Sequence, residues 1–381
     1  MLAHADPFTR AMNRRPPPRV RAQPRGPFDE PTHFLSPRAR RIAVSEERTR
    51  PAPHIPVMLA ESLHALGVRA GGVYLDGTFG AGGYSRALLA AGAEVIGVDR
   101  DPRAISDGAA LVAESAGRLK LVQGRFGDLD SIARGLGFER LDGVVLDIGV
   151  SSMQLDEAER GFSLRYDAPL DMRMEGAGRT AADILLEEDE AALADIFFHY
   201  GEERAARRIA RAIVADRASE PYVSTLQLAR MIARVAPARP GELTHPATKT
   251  FQALRIAVND ELGELLRGLA AAERILVPGG RLVVVTFHSL EDRIVKQFFA
   301  RRSAHGRAVS RRLPGEPPVR APSFSVASKQ PVVPSEAEIS ANSRARSAKL
   351  RFGERTKAAP FEIDAELAGL TRLPANPARR R

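Results

Sequence analysis

Five short runs of β-branched and apolar residues set the terms for how this chain can fold: GVYLD (72–76), EVIGVD (94–99), LKLVQ (119–123), GVVLD (143–147) and RLVVVTF (281–287). Each has the length and composition of a buried strand. Helical periodicity fills the first gaps, with SRALLAAGA ending at Gly92 between the first two runs and a second helix from Pro102 through Val112 before the third. Parallel neighbours need a crossover of this kind, so the alternation predicts an α/β fold built on a doubly wound parallel sheet.

The alternation stops after the fourth run. From about 178 to 235 the sequence reads as helix throughout: TAADILLEEDEAALADIFFHY opens with Thr180 and Asp183 in capping-box spacing, and GEERAARRIARAIVADR follows it. THPATKTFQALRIAVNDELGELLRGLAAAERIL then reads as one long helix that returns the chain to a VPGG turn before the fifth run. The expected organisation is an inserted α-helical domain over 156–244, a sheet domain made of 51–155 and 245–355, and a C-terminal tail over 356–381.

With 381 residues, 44% hydrophobic and 27% charged, the chain can bury one large core or two smaller ones. No run approaches the roughly 18 apolar residues of a membrane span, and the first residues lack the apolar segment of a secretory signal. The expectation is a soluble, cytoplasmic protein with no membrane partner. The lack of cysteine excludes disulfides, cysteine catalysis and thiolate metal sites. A net charge of +9 favours polyanionic partners, nucleic acid before acidic membrane. Part of it lies in residues 1–50, where RRPPPRVR and RARR predict a disordered basic arm. An amphipathic targeting helix fits that segment less well, because RRPPP would break it.

DGTFGAGGYS follows the first run, and its glycines allow close approach of a ligand to the backbone. Asp99, roughly 20 residues on at the end of the second run, is placed to accept hydrogen bonds from a ribose diol. Two features argue against a dinucleotide: the loop is not G-x-G-x-x-G, and Asp76 at its mouth would repel a pyrophosphate. S-adenosylmethionine carries an ammonium and a sulfonium and no phosphate, and it suits the same acids. Asp76, Asp99 and Asp147, at the ends of three runs, are the candidate cofactor carboxylates; taken singly, each could instead be a helix cap.

Seven segments in order, HIPVMLAESLHAL, YLDGTFGAGGYSRALL, VIGVDRDPRAI, LDGVVLDIGVSSMQLDEAERGFSLRYDAPLDMRM, YGEERAARRIARAIV, HPATKTFQALRIAVNDEL and VPGGRLVVVTFHSLEDRIVK, closely resemble the bacterial RsmH (MraW) family. The resemblance covers about 54 to 353. It implies a class I S-adenosylmethionine-dependent methyltransferase with a Rossmann-like sheet, which methylates N4 of a cytidine (position 1402) in 16S ribosomal RNA of the small ribosomal subunit. It also implies a cofactor site of Gly82, Gly83, Tyr84, Asp99, Phe126, Asp147 and Gln154. Tyr84 stands where the family's GGHS has histidine, which puts any role for an imidazole proton in doubt, and Ser343 stands where proline is expected in the closing strand ANSRARSAKLRFGER. Phe126, without the resemblance, reads as an ordinary core aromatic.

The cytosine amine is a weak nucleophile, since its lone pair is delocalised into the ring. The protein must hold the reacting atoms about 3–3.5 Å apart and accept a hydrogen bond from that amine. Asp147, at the carboxyl end of the fourth run, is the catalytic candidate, contacting either the amine or the cofactor alone. Ser151, Asp171, Arg173, Lys249, Arg255 and His288 are the substrate candidates. For Asp171 and Arg173 the competing reading is an ion-pair network joining the insertion to the sheet, and Arg255 could equally be structural. Arg204, Arg207, Arg208 and Arg211 share one helix face, with Ile209 and Ile213 turned inward, and suit RNA phosphate or plain solvent. The basic, proline-rich stretch 302–335 is equally an RNA-facing loop or a linker. His245 and His288 lack metal spacing, so no metal is expected. Oligomeric state, monomer or homodimer, is open.

Two rival functions remain. Strand, glycine and serine in GVVLDIGVSS echo a nucleophile elbow, which would make Ser151 a hydrolase nucleophile with His288 as base and Asp171 or Asp147 as orienting acid. The second glycine of G-x-S-x-G is missing, however, and QLDEAERGF reads as loop where that motif needs a helix. The other rival is a ribosome-assembly factor that keeps the fold without the chemistry.

Overall fold

The computed structural model describes residues 56–238, 241, 244–303 and 320–374. The arm expected at 1–50 and residues 304–319 of the basic stretch 302–335 lie outside them.

Seven strands form one sheet: β1 (Val73–Asp76), β2 (Glu94–Asp99), β3 (Leu119–Gln123), β4 (Leu141–Asp147), β5 (Leu276–Thr286), β6 (Phe324–Ser325) and β7 (Lys349–Arg355). Their spatial order is β3-β2-β1-β4-β5-β7-β6. β1 to β5 run parallel, and β7 returns antiparallel between β5 and β6. The sheet is therefore doubly wound as expected, and its strand order reverses at β1 and β4, the place where such sheets open a ligand crevice.

The strand bounds follow the apolar runs closely, because a strand buried on both faces must be apolar at nearly every position. Two helices and one turn depart from the sequence reading. The stretch from Pro102 forms two short helices, Pro102–Asp107 and Ala109–Glu114, parted at Gly108, where a Cβ would come within 2.5 Å of Leu121 and 2.7 Å of Phe79. The long returning helix is also two, Thr248–Asn259 and Glu261–Ile275, because Asp260 between them takes φ +49°. VPGG is not a turn: it lies within β5, whose pairing with β4 slips between Leu141–Leu276 and Gly143–Arg281, and Gly279 at φ +85° absorbs the bulge.

Apolar residues gather in three clusters. One covers one face of the sheet with Leu262, Leu265, Leu269 and Phe298; another fills the opposite face around Tyr74, Phe79, Tyr84 and Leu88. The third lies among Ala181–Glu187, Glu190–Gly201, Ala206–Asp216 and Thr225–Val235, with Phe197, Ile209, Ile213, Leu228 and Ile232 fully buried. Thr248–Asn259 serves two clusters, giving Leu254 to the helical one and Ile256 to the sheet. Thr180 and Asp183 form the expected reciprocal cap. Beyond β7 the chain stays attached: Leu367 is buried in the sheet core, and the Phe361 amide donates to Glu273. No described helix is long and apolar enough to cross a membrane.

Candidate active site

Parallel register brings three carboxylates to one edge. Asp76 pairs with Gly97 on one side and Val145 on the other, so Asp99 and Asp147, two residues past those partners, flank the exit of β1. The loop after β1 is held open by backbone bonds. Gly77 donates to the Val145 carbonyl, Phe79 to that of Val98, and Gly80 to the Asp99 carboxylate at 2.7 Å. Asp99 also accepts the Asp101 amide at 2.8 Å, which fixes its plane while each oxygen keeps a free lone pair.

The three acids differ in how they are satisfied. Asp76 is fully buried and accepts from Ser85 Oγ at 2.8 Å and the Thr78 amide at 3.3 Å; burial still raises its pKa to about 6. Burial likewise raises the Asp99 pKa, against the pull of its two amide donors. Asp147 is the least compensated. Its amide donates to Thr78 Oγ1 at 2.7 Å, but its carboxylate oxygen Oδ1 is buried and has no hydrogen-bond partner among the described residues. Burial first, then the nearby charges of Asp76 and Glu291, push its pKa up to about 8.

The loop glycines are required by packing. Gly82 has φ +76° and caps the helix Gly83–Ala90, and a Cβ there would meet Phe79 at 2.9 Å. A Cβ on Gly83 would meet Pro56 at 2.2 Å. Gly80, at φ +50°, is less crowded: a Cβ there would make only ordinary contacts, with the Thr78 carbonyl at 3.8 Å and Ser151 Cβ at 4.0 Å. Tyr84 is buried in the core, and its hydroxyl donates to the Val57 carbonyl. Phe126 opens a short 3-10 turn after β3; its ring rests against Gly268 and its Cβ lies beside Gly77, at the mouth of the β1 loop.

Ser151 and Gln154 act on each other. A five-residue helix, Ser152–Asp156, does begin right after Ser151, contrary to the loop expected there. Ser151 is its cap: Oγ accepts the Gln154 amide, and the Gln154 side chain accepts the Ser151 amide. The cap has unstrained extended backbone (φ −66°, ψ 156°), unlike a nucleophile elbow. The other end of the Gln154 amide donates to Asp101 at 3.0 Å, beside Arg160 on the same oxygen at 2.9 Å.

The remaining candidates divide. Asp171 and Arg173 form a local bidentate pair, with contacts of 2.9 and 2.7 Å. That pair does not itself reach the sheet. The joint is made instead by Asn259, which bonds both Met172 and Met174, and by Glu175, which binds Arg100 and Arg125. Arg255 is bidentate on Glu261 at 2.8 Å. Lys249 is exposed, its Nζ on the Glu202 carbonyl at 3.4 Å. His288 caps the helix Ser289–Arg302, with Nε2 2.9 Å from Glu291 Oε1. Burial opposes the Glu291 charge, yet His288 and Arg255 hold its pKa below the ordinary value. Glu261, His288 and Glu291 offer donor atoms within 4.8 Å of one another, and the Arg255 guanidinium already supplies the positive charge there.

Sequence reasoning passed over Thr78, Asp101 and Glu291. The signals were faint but present: Asp101 precedes Pro102, a cap followed by proline at the first helical position, and Glu291 stands three residues after His288, the spacing of a reciprocal cap.

The profile described as the MraW methylase family matches residues 51–356. The chain is 62% identical over 332 residues to the ribosomal RNA small subunit methyltransferase H of Methylocella silvestris, covering 87% of this chain and 96% of that one. It is 64% identical over 327 residues to the protein of the same name from a Methylobacterium species, covering 85% and 97%.

Proposed function

The chain belongs to the MraW methylase family, and on that premise we propose that it transfers a methyl group from S-adenosylmethionine to N4 of the cytidine at position 1402 of 16S ribosomal RNA, in the bacterial cytoplasm. The observation that carries this reading is the Asp147 oxygen at the β1/β4 reversal, which has no hydrogen-bond partner among the described residues, at the sheet edge that also carries the glycine loop after β1. A buried carboxylate without a donor is costly unless a ligand supplies one.

The donor set fits the cofactor. Asp99, rigidly oriented by Gly80 and Asp101, would hold a ribose diol, and Phe126 at the loop mouth would flank the adenine. Asp147 and Asp76 would place negative charge near the sulfonium and ammonium, whose binding would in turn favour the ionised acids. Gly82, Gly83 and Tyr84 shape the loop from behind through packing. Gln154 keeps the turn after β4 in register by locking Ser151 and Asp101. When bound, the cofactor supplies an electrophilic methyl group.

The protein's part is orientation and proton handling. Asp147 accepts a hydrogen bond from the exocyclic amine, which turns its lone pair toward the methyl group, and then receives the proton that the methylated nitrogen sheds. A carboxyl with a pKa near neutrality suits that task better than an ordinary aspartate. Ser151, across from Gly80, keeps the turn small enough to leave room for a base extruded from its stack. The helical layer, joined to the sheet through Asn259 and Glu175, forms the substrate-recognition side.

The test is transfer of labelled methyl from S-adenosylmethionine to small ribosomal subunits from cells lacking the gene, followed by mapping of the modified base. Label on N4 of cytidine 1402 is expected. Label at an unrelated base would defeat the assignment, and failure of the protein to bind S-adenosylmethionine in calorimetry would favour a non-catalytic assembly factor.

A further inference from the structure

Arginines on protein surfaces usually find an acid, and across the described residues of this protein most do. Arg204, Arg207 and Arg208 are among those that do not, and they stand close together in the chain: all three are exposed, and none has a hydrogen-bond or ion-pair partner among the described residues. Arg211 continues the row, touching Glu190 at 3.4 Å while 75% of its side chain stays in solvent. The helix Ala206–Asp216 buries Ile209, Ala210 and Ile213, which turns the guanidinium groups outward, and it contains no acid before Asp216. Like charges three and four residues apart repel one another, so such a row costs stability when nothing binds it.

The row begins at the rim of the site. Glu202, two residues before Arg204, accepts from Ser289 Oγ at 2.8 Å and meets Arg293 at 3.3 Å, and Ser289 adjoins His288. Arg204 stands in the turn before the helix, short of the helical face expected for it, and Arg207, Arg208 and Arg211 lead away along the helix itself over about 6 Å. Glu203, the nearest acid, is turned inward to accept the Ala205 amide at 2.7 Å. An aromatic stands at the same end. Glu190–Gly201 and the arginine helix are joined by a four-residue connection, and Arg211 meets Glu190 at the far end, so the two run antiparallel with Phe198 and Arg204 both near the connection. Phe198 is 57% exposed, with His199 edge-on at 5.0 Å.

We propose that this helix pair is the track for the single-stranded RNA flanking the target cytidine, with Arg204, Arg207, Arg208 and Arg211 on successive phosphates and Phe198 stacked on a neighbouring base. The proposal rests on the reading of the substrate as RNA. A free guanidinium row suits a polyanion, and an exposed phenyl beside it suits an unstacked base.

The experiment uses the full chain, with small subunits from cells lacking the gene as the probe. It compares wild type with Arg207→Gln/Arg208→Gln and with Phe198→Ala, reading kcat, KM for the subunit, binding against salt, and calorimetric affinity for S-adenosylmethionine. The double variant should raise KM about tenfold or more with kcat and cofactor affinity unchanged, and should flatten the log–log salt dependence of binding by about 1.4, two phosphates' worth for a single strand. Phe198→Ala should weaken binding about tenfold without altering the salt slope. Arg207→Lys/Arg208→Lys, which keeps the charge, should restore the slope. If wild type methylates the subunit and the variants match it in KM and slope, the track is wrong and the function stands. If the variants lose salt-dependent binding while even wild type transfers no methyl group, the function is wrong and the track stands.

Discussion

Two buried charged regions of this protein are built on opposite plans. Behind the sheet, Glu273 and Arg302 are both buried, paired at 2.5 Å, with Arg302 stacked over Phe298 at 4.0 Å and Glu273 also accepting the Phe361 amide. At the carboxyl edge of the sheet, the buried Asp76 adjoins the half-buried Asp147; among the described residues neither has a cation on it, and the buried Oδ1 of Asp147 has no donor. A closed pair is satisfied by the fold alone. An open pair is left for a ligand to satisfy, and that difference marks the site more clearly than any cavity does.

The comparison can be broken at its strongest point first. Arg302→Ala would strand Glu273 in the core, and chemical denaturation should show a loss of about 3–5 kcal/mol. A loss below about 1 kcal/mol would mean that the clasp is not closed in solution. Asp147 should behave in the reverse sense. Folding raises its pKa from 3.8 to about 8, so the folded state holds that proton more tightly than the unfolded chain. The stability this provides is complete below the unfolded value and is lost as pH rises toward 8. Asp147→Asn, which cannot ionise, should therefore gain on wild type by about 1–3 kcal/mol between pH 5 and pH 9 in the absence of cofactor. An unchanged difference across that range would show the site already neutralised. The half-exposed pair Asp171–Arg173 should matter least: Asp171→Ala should shift stability by under about 1 kcal/mol.

Much of this edge is legible in the sequence. β2 and β3 match their apolar runs residue for residue, and the aspartates closing GVYLD, EVIGVD and GVVLD fall at one edge because parallel register leaves no other arrangement. What periodicity misses is where a helix breaks. The reversal at Asp260 depends on distant partners: Asn259 bonds Met172 and Met174, and Gly263 leaves room for the Asp260 carboxylate, which a Cβ would meet at 2.4 Å. An apolar stripe passes through such a point unaltered. The same holds for Gln154, which reads as a cofactor contact by resemblance but whose side chain is spent on Ser151 and Asp101. A motif carries the position of a side chain, whereas a partner such as Asp101 lies 53 positions away in the chain.

The central claim is that Asp147 is open because it serves the reacting amine. The direct measurement is the pH dependence of methyl transfer to small subunits at saturating cofactor, for wild type and Asp147→Asn. Wild type should lose rate as pH falls, with an apparent pKa at or below about 8, since a cationic cofactor lowers the value found for the protein alone. Asp147→Asn should lose about 10²–10³-fold in kcat and show no such limb. Wild-type kcat with the same pH limb in Asp147→Asn would contradict the account.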